Sequence, residues 1–187
     1  VQGGSYFFTS ITPRPFFEFP YAIGLFVTAM PFWPSFPQDI DQVWLLRTIA
    51  LVADALVGVA LYAVVSRFWG QQRMALLVAA LWPFARAPLE ALCNANLPNV
   101  FGQGLFGVAI AVLLWSSAGR GLGAWVGLAV STAVLAASFL SHFSTLSVGV
   151  PLVLVVAATL VAGGRPETRW KGLWVAVICA VAMAVSY

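Results

Sequence analysis

From Val43 to Trp69 the chain runs for about 27 residues with only Arg47, Asp54 and Arg67 charged, and a helix needs about 20 apolar residues to cross a bilayer's hydrocarbon core. Comparable runs recur at Leu97–Trp115, Leu122–Leu140 and Thr145–Ala162. A shorter one covers Met74–Ala85, and another opens at Lys171. In hydrocarbon the backbone N–H and C=O groups must be bonded internally, so such runs have to be helical. A soluble alternative fails on charge: 8% of the residues are charged and 61% are hydrophobic, whereas soluble domains carry about 25% charged residues. Lipid is the solvent for most of this surface. The sequence specifies an all-α fold, a polytopic membrane helix bundle of five or six transmembrane helices plus one interfacial or re-entrant helix.

That additional helix is expected at Phe19–Trp33, apolar but short and bounded by Pro20, Pro31, Pro34 and Pro37. Its length favours an interfacial segment over a span. Residues 1–42 then form an outer lead-in with the interfacial helix, and 43–187 the bundle, in a single transmembrane domain. Val1 is not an initiator methionine, and the apolar run from Lys171 to Tyr187 stops short of a full span. We therefore expect a piece of a longer polypeptide.

Alternating the helices puts Arg67, Arg73, Arg120, Arg165, Arg169 and Lys171 on one face, the expected cytoplasmic side by the positive-inside rule. The opposite, outer loops hold Asp39 and Asp41, then Arg86 with Glu90, then His142. The net charge of +3 is scattered through short loops, a pattern that does not point to nucleic acid. His142 is the single histidine, and Cys93 and Cys179 have no metal-binding spacing, so no metal site or cofactor is expected within the chain. Gly119, Gly123, Gly127 and Ser131 recur every four residues, a spacing that lets two membrane helices approach closely.

Within the long second segment, Asp54 sits near the middle, where a lone charge costs at least about 2.5–3.5 kcal/mol. It must be protonated, paired, or turned toward other helices. An internal hydrogen bond or salt bridge is the simpler reading; a proton relay would require partner carboxylates that the other spans lack. Arg47 shares a helix face with Asp54 but lies about 10 Å away along the axis, so the two do not pair directly.

The one long polar interruption is Arg86–Gln103, RAPLEALCNANLPNVFGQ. Arg86 and Glu90 are spaced to form an ion pair if the segment is helical. Alternatively, the planar fork of Arg86 suits a phosphate. Asn94, Asn96, Asn99 and Gln103 can donate to and accept from sugar hydroxyls, and they equally suit turns and caps. Asn96, followed by Leu97-Pro98, reads as a helix N-cap with proline just inside. His142, in the Ser141-His142-Phe143-Ser144 corner, sits at the same outer level and is either a capping group or a donor to substrate. No recognised catalytic motif is present.

Several stretches resemble a known family. Arg14-Pro15-Phe16-Phe17-Glu18-Phe19-Pro20-Tyr21, followed by a short apolar helix ending Met30-Pro31-Phe32-Trp33, is similar to the juxtamembrane stretch of C-type (GT-C) glycosyltransferases, with the family's tandem proline broken to Pro13-Arg14-Pro15. Leu46-Arg47, Gly58, Leu61-Tyr62, Arg67-Phe68-Trp69-Gly70, Ala75-Leu76-Leu77, Ala80-Leu81 and Pro83 resemble its arginine-led second span and the junction to the third. Leu140-Ser141-His142-Phe143-Ser144-Thr145-Leu146 resembles its histidine-bearing outer corner.

The resemblance implies an integral membrane protein of a bacterial inner membrane that transfers a sugar from a polyprenyl-phosphate donor at the outer face. It implies supporting roles for Arg47, Arg86 and His142 at the donor phosphate. The family's catalytic acid follows its first span, and the positions of Asp39 and Asp41 do not match it, so no catalytic residue is assigned. The alternative expectation is a non-catalytic membrane subunit held in a larger assembly with other membrane proteins.

Overall fold

The computed structural model describes residues 7–9, 18–20, 23–85, 96–141, 143–163 and 166–186. Ahead of the helices, Phe7–Thr9 and Glu18–Pro20 pair as a two-stranded antiparallel ribbon, with Phe8 opposite Phe19. The strands differ from the expectation drawn from the sequence, which puts the first of these segments in the outer lead-in and Phe19 and Pro20 at the start of the interfacial helix. Among the described residues the regular elements after it are helices: α1 (Gly24–Ala29), α2 (Asp39–Trp69), α3 (Gln72–Leu81), α4 (Leu97–Ala118), α5 (Leu122–Ser141), α6 (Phe143–Ala162) and α7 (Pro166–Ser186).

Four helical stretches, Asp39–Trp69, Leu97–Ala118, Leu122–Ser141 and Thr145–Ala162, are long and apolar enough to cross a membrane. Large apolar side chains such as Val59 and Val155 face outward rather than into the bundle. This is the surface of a protein dissolved in lipid.

The local sequence explains where the helices start and stop. Gln38 is extended, and Asp39 and Asp41 occupy the first turn of α2, where carboxylates complement the positive end of the helix dipole. These two acids, read from the sequence as loop residues, belong to the helix. At its other end Gly70 takes the left-handed conformation, φ 65°, and its N–H donates to the Ser66 carbonyl; glycine adopts that conformation without steric penalty. With 31 residues, α2 is about 46 Å long, so it must tilt or overhang a hydrocarbon core of about 30 Å. Helix α7 begins at Pro166, where a missing N–H costs nothing.

Two elements are shorter than a span. Helix α1 has six residues and passes into a 3₁₀ turn, Met30–Ser35. It is nevertheless buried on one side, with Leu25 packed among Ala50, Ala53, Val100 and Phe101. This fits the expected non-spanning helix, here wedged between bundle helices. Helix α3 has ten residues and tightens into a 3₁₀ turn at Trp82–Phe84. At about 15 Å it reaches half-way through a bilayer before Pro83.

Close backbone approach organises the bundle. A side chain on Gly104 of α4 would meet the carbonyl carbon of Ala53 at 2.6 Å and the amide nitrogen of Asp54 at 2.8 Å. Gly107 faces Val57 one turn on. On α5, Gly127 lies against Ser116 of α4, and Ser131 is buried, but Gly123 has open space before it and Gly119 is the C-cap of α4. Only part of the expected four-residue stripe is therefore a contact face. Gly172 of α7 abuts the Ala157 carbonyl of α6. Toward the start of α4, Ser138 donates to the Gly102 carbonyl at 2.8 Å and Thr145 to the Ser138 carbonyl at 2.9 Å. These hydrogen bonds tie α4, α5 and α6 together.

Candidate functional site

The contacts of Gly104 with Ala53 and of Gly107 with Val57 set α2 and α4 parallel and in register. Extending that register by helical periodicity brings Asn99 within about one residue of the level of Arg47, and Gln103 within about two residues of the level of Asp54. The same periodicity decides which way these residues turn. On α2, Arg47 and Asp54 share the side bearing Gly58, which faces Ala79 of α3. On α4, Asn99 and Gln103 lie a quarter turn from the glycine contact, toward that same side. Four polar residues widely spaced in sequence thus line one side of a single helix pair.

Their bonds are specific. Asp54 Oδ1 accepts from Trp82 Nε1, in the 3₁₀ turn that follows α3, at 3.0 Å, so the mid-membrane carboxylate has an internal hydrogen-bond partner, as the simpler sequence reading anticipated. Gln103 Nε2 donates to Asn99 Oδ1 at 3.1 Å. Asn96 caps α4, its Oδ1 accepting from the Asn99 N–H at 3.4 Å, with Pro98 in the first turn. The Arg47 guanidinium lies 5.3 Å from the centre of the Trp44 ring, an arrangement that keeps a cation in reach of an aromatic face. Arg47 is exposed, whereas Asn99 and Gln103 are half-buried.

Of the residues singled out in the sequence, Arg47, Asn96, Asn99 and Gln103 are found at the end of the bundle where α4 begins. The corner between α5 and α6 lies at that end too, since Gly102 packs against Ser141 and Thr145 on either side of it. Arg86, Glu90, Asn94 and His142 lie outside the described residues. Sequence reasoning missed Trp82, twenty-eight positions from its partner Asp54. It also passed over the glycines of Phe101-Gly102-Gln103-Gly104-Leu105-Phe106-Gly107, a small-residue spacing that could have marked the α2–α4 contact.

The opposite side of the α2–α4 pair is different. A groove of about 480 Å³ opens there between α1, α2, α4 and α5, lined among others by Thr28, Val52, Leu56, Phe101, Leu105 and Val134. Its two hydroxyls are already used: Thr28 donates to the Gly24 carbonyl and Thr48 to the Trp44 carbonyl. The groove therefore presents an almost wholly hydrocarbon surface.

At the far end of the bundle, Arg67 lies 4.3 Å from the centre of the Trp115 ring. Lys171 Nζ donates to the Ser117 carbonyl at 3.0 Å, to the Ser116 carbonyl at 3.5 Å and to the Gly119 carbonyl. A cation is thereby placed on the carbonyls at the C-terminal end of α4, the negative end of its dipole. Arg67, Arg120 and Lys171 thus share one end, as the alternation of spans requires. Among the described residues, no three histidine, cysteine or carboxylate side chains cluster as a metal site would need.

Fold and surface together define an integral membrane protein of the polytopic helical class. No protein-family model, curated protein or solved structure matches the chain.

Proposed function

We propose that this chain is the lipid-substrate-binding part of a membrane glycosyltransferase that moves a sugar from a lipid-phosphate donor at the extracytoplasmic face. In this reading the amide-bearing end of α4 lies outside and the basic end in the cytoplasm, with the protein in a bacterial inner membrane. The observation that carries it is the convergence of Arg47, Asn99 and Gln103 along one side of the α2–α4 pair. A guanidinium can hold a phosphate through two parallel N–H bonds. Amides that both donate and accept match the hydroxyls of a sugar. Arg86, Asn94 and His142 would act from the same end, by their place in the sequence.

The test is transfer by the full-length protein from a polyprenyl-phosphate sugar. Arg47→Ala and Gln103→Leu should each lower turnover about tenfold, the effect of roughly 1.4 kcal/mol of lost transition-state binding, with Arg47→Lys retaining part of it. Arg86→Ala and His142→Ala should lower it several-fold. Turnover unchanged in all four variants sinks the proposal.

A second reading is favoured by one observation: Asn96, Asn99, Gln103 and Asp54 each have an intramolecular bond. A non-catalytic subunit would need nothing more of them. It would also purify with fixed membrane partners, whereas the transferase would bind donor by itself.

A further inference from the structure

We infer that the tryptophan-walled pocket at the basic end binds the headgroup of one anionic phospholipid. Arg120, Gly121, Trp125, Trp170, Lys171 and Trp174 surround about 460 Å³ between the α4–α5 turn and the first turns of α7. That volume lies within the roughly 300–1,000 Å³ of small-molecule sites. The pocket is open on the outside and framed by two cations, which is the makeup of headgroup sites between membrane helices.

Each wall has a definable role. Lys171 is fixed by its bonds to the end of α4, so it contributes a held positive charge rather than a mobile donor. Arg120, in the turn beside it, carries five N–H donors in a planar fork, enough to grip a phosphodiester while keeping another bond. The Trp125 and Trp174 rings meet edge to face, with centroids 6.0 Å apart at 85°, and form a stiff partition. Trp170 is 66% exposed, at the level where an indole suits the boundary between headgroups and tails.

The space for the rest of the lipid is also present. Trp174, Val177 and Val181 form an exposed stripe down one face of α7, pointing from the pocket toward the middle of the bilayer. A phosphate at Arg120 would therefore leave its acyl chains against apolar side chains. A soluble phosphate would gain nothing from that stripe, and a zwitterionic lipid would bring an ammonium to a doubly cationic pocket. This assignment does not depend on the function proposed above, which concerns the opposite end of the molecule.

Native mass spectrometry of the whole chain in detergent tests it, using phosphatidylglycerol, phosphatidylcholine with the same acyl chains, and inorganic phosphate as separate probes. Phosphatidylglycerol adducts should survive at least ten times more often than phosphatidylcholine adducts at equal concentration. Arg120→Ala should bring the two lipids level. Trp170→Ala, at an exposed position, should lower phosphatidylglycerol retention several-fold. Arg73→Ala, a cation at the same end that lines a separate hollow with Gly70 and Met74, should change nothing. Equal retention of the two lipids, or retention indifferent to both Arg120→Ala and Trp170→Ala, overturns the site. Inorganic phosphate binding as strongly as the lipid, at Arg120, overturns its assignment to a lipid.

Discussion

The two sides of the α2–α4 pair are built from the same two helices and flank the same seam of glycine contacts, Gly104 on Ala53 and Gly107 on Val57, yet they present opposite chemistry. One side carries Arg47, Asp54, Asn99 and Gln103, with Trp82 reaching across from the 3₁₀ turn after α3. The other is a groove of valine, leucine, phenylalanine and alanine whose threonines are turned back onto their own helices. In lipid the apolar side costs nothing to expose, because acyl chains solvate it as well as leucine does. Each polar group on the first side has to find a partner or a function. On the proposed function, any chemistry belongs to the α3 side and the groove is left to the bilayer.

The largest effect should come from wedging the pair apart. Gly104→Val would drive a branched side chain into the backbone of Ala53 and Asp54, neither of which can rotate away. Overpacking costs about 1–3 kcal/mol, occasionally more, and a backbone obstacle belongs at or above the upper end. We expect the variant to lose its thermal unfolding transition in detergent, whereas Gly123→Ala, with open space before it, should unfold like the parent. A stable, monodisperse Gly104→Val protein would break the register on which both sides are defined.

Next is the half-buried carboxylate of Asp54. Asp54→Leu leaves the Trp82 N–H without its acceptor, a loss of about 1–3 kcal/mol in general and of about 0.6–1.7 kcal/mol for pairs between membrane helices. Asp54→Asn keeps an oxygen in place and should cost less than half as much. If the two substitutions destabilise equally in a denaturant titration, the charge itself, and not the hydrogen bond, is what α3 responds to.

The helices and the sharp ends of several were legible in the sequence because one residue type settles each. Asn96-Leu97-Pro98 marks a cap and first turn, and Phe68-Trp69-Gly70 marks an interface and a stop. The span ends at Ala162 and near Ser141 likewise follow from hydropathy alone. What could not be read were relations between helices. Nothing local in Asp54 names Trp82, and nothing in Lys171 says that its ammonium will end α4 rather than face the cytoplasm. The register of α2 against α4 depends on which glycines meet which backbone, and Gly102, Gly104 and Gly107 face different neighbours although they stand within six residues. The site was legible only as a list of polar groups; which of them share a side follows from that register.

Gln103 should sharpen the comparison with a smaller change in stability. Gln103→Leu removes one amide bond to Asn99 and puts an apolar side chain where lipid or α3 can cover it. The two effects nearly offset, so unfolding should shift by less than about 0.5–1 kcal/mol. Transfer should still fall, because the lost amide is on the side assigned to substrate. A fall in stability with transfer intact would favour the structural reading of the amides.

The smallest effect is expected on the groove side. Val52 lines the groove and is 54% exposed, so Val52→Ala removes methyl groups that border lipid rather than packed protein. In a closed core, losing methyl groups costs their transfer energy plus a cavity that the surroundings only partly fill. Here neither term applies: the methyls are as well solvated by acyl chains as by protein, and a mobile chain flows into the space they leave. Thermal unfolding and transfer should both match the parent. A drop in transfer with unchanged unfolding would mean that the groove grips a particular chain, and the division between a chemical side and a lipid side would then have to be redrawn with both sides serving the substrate.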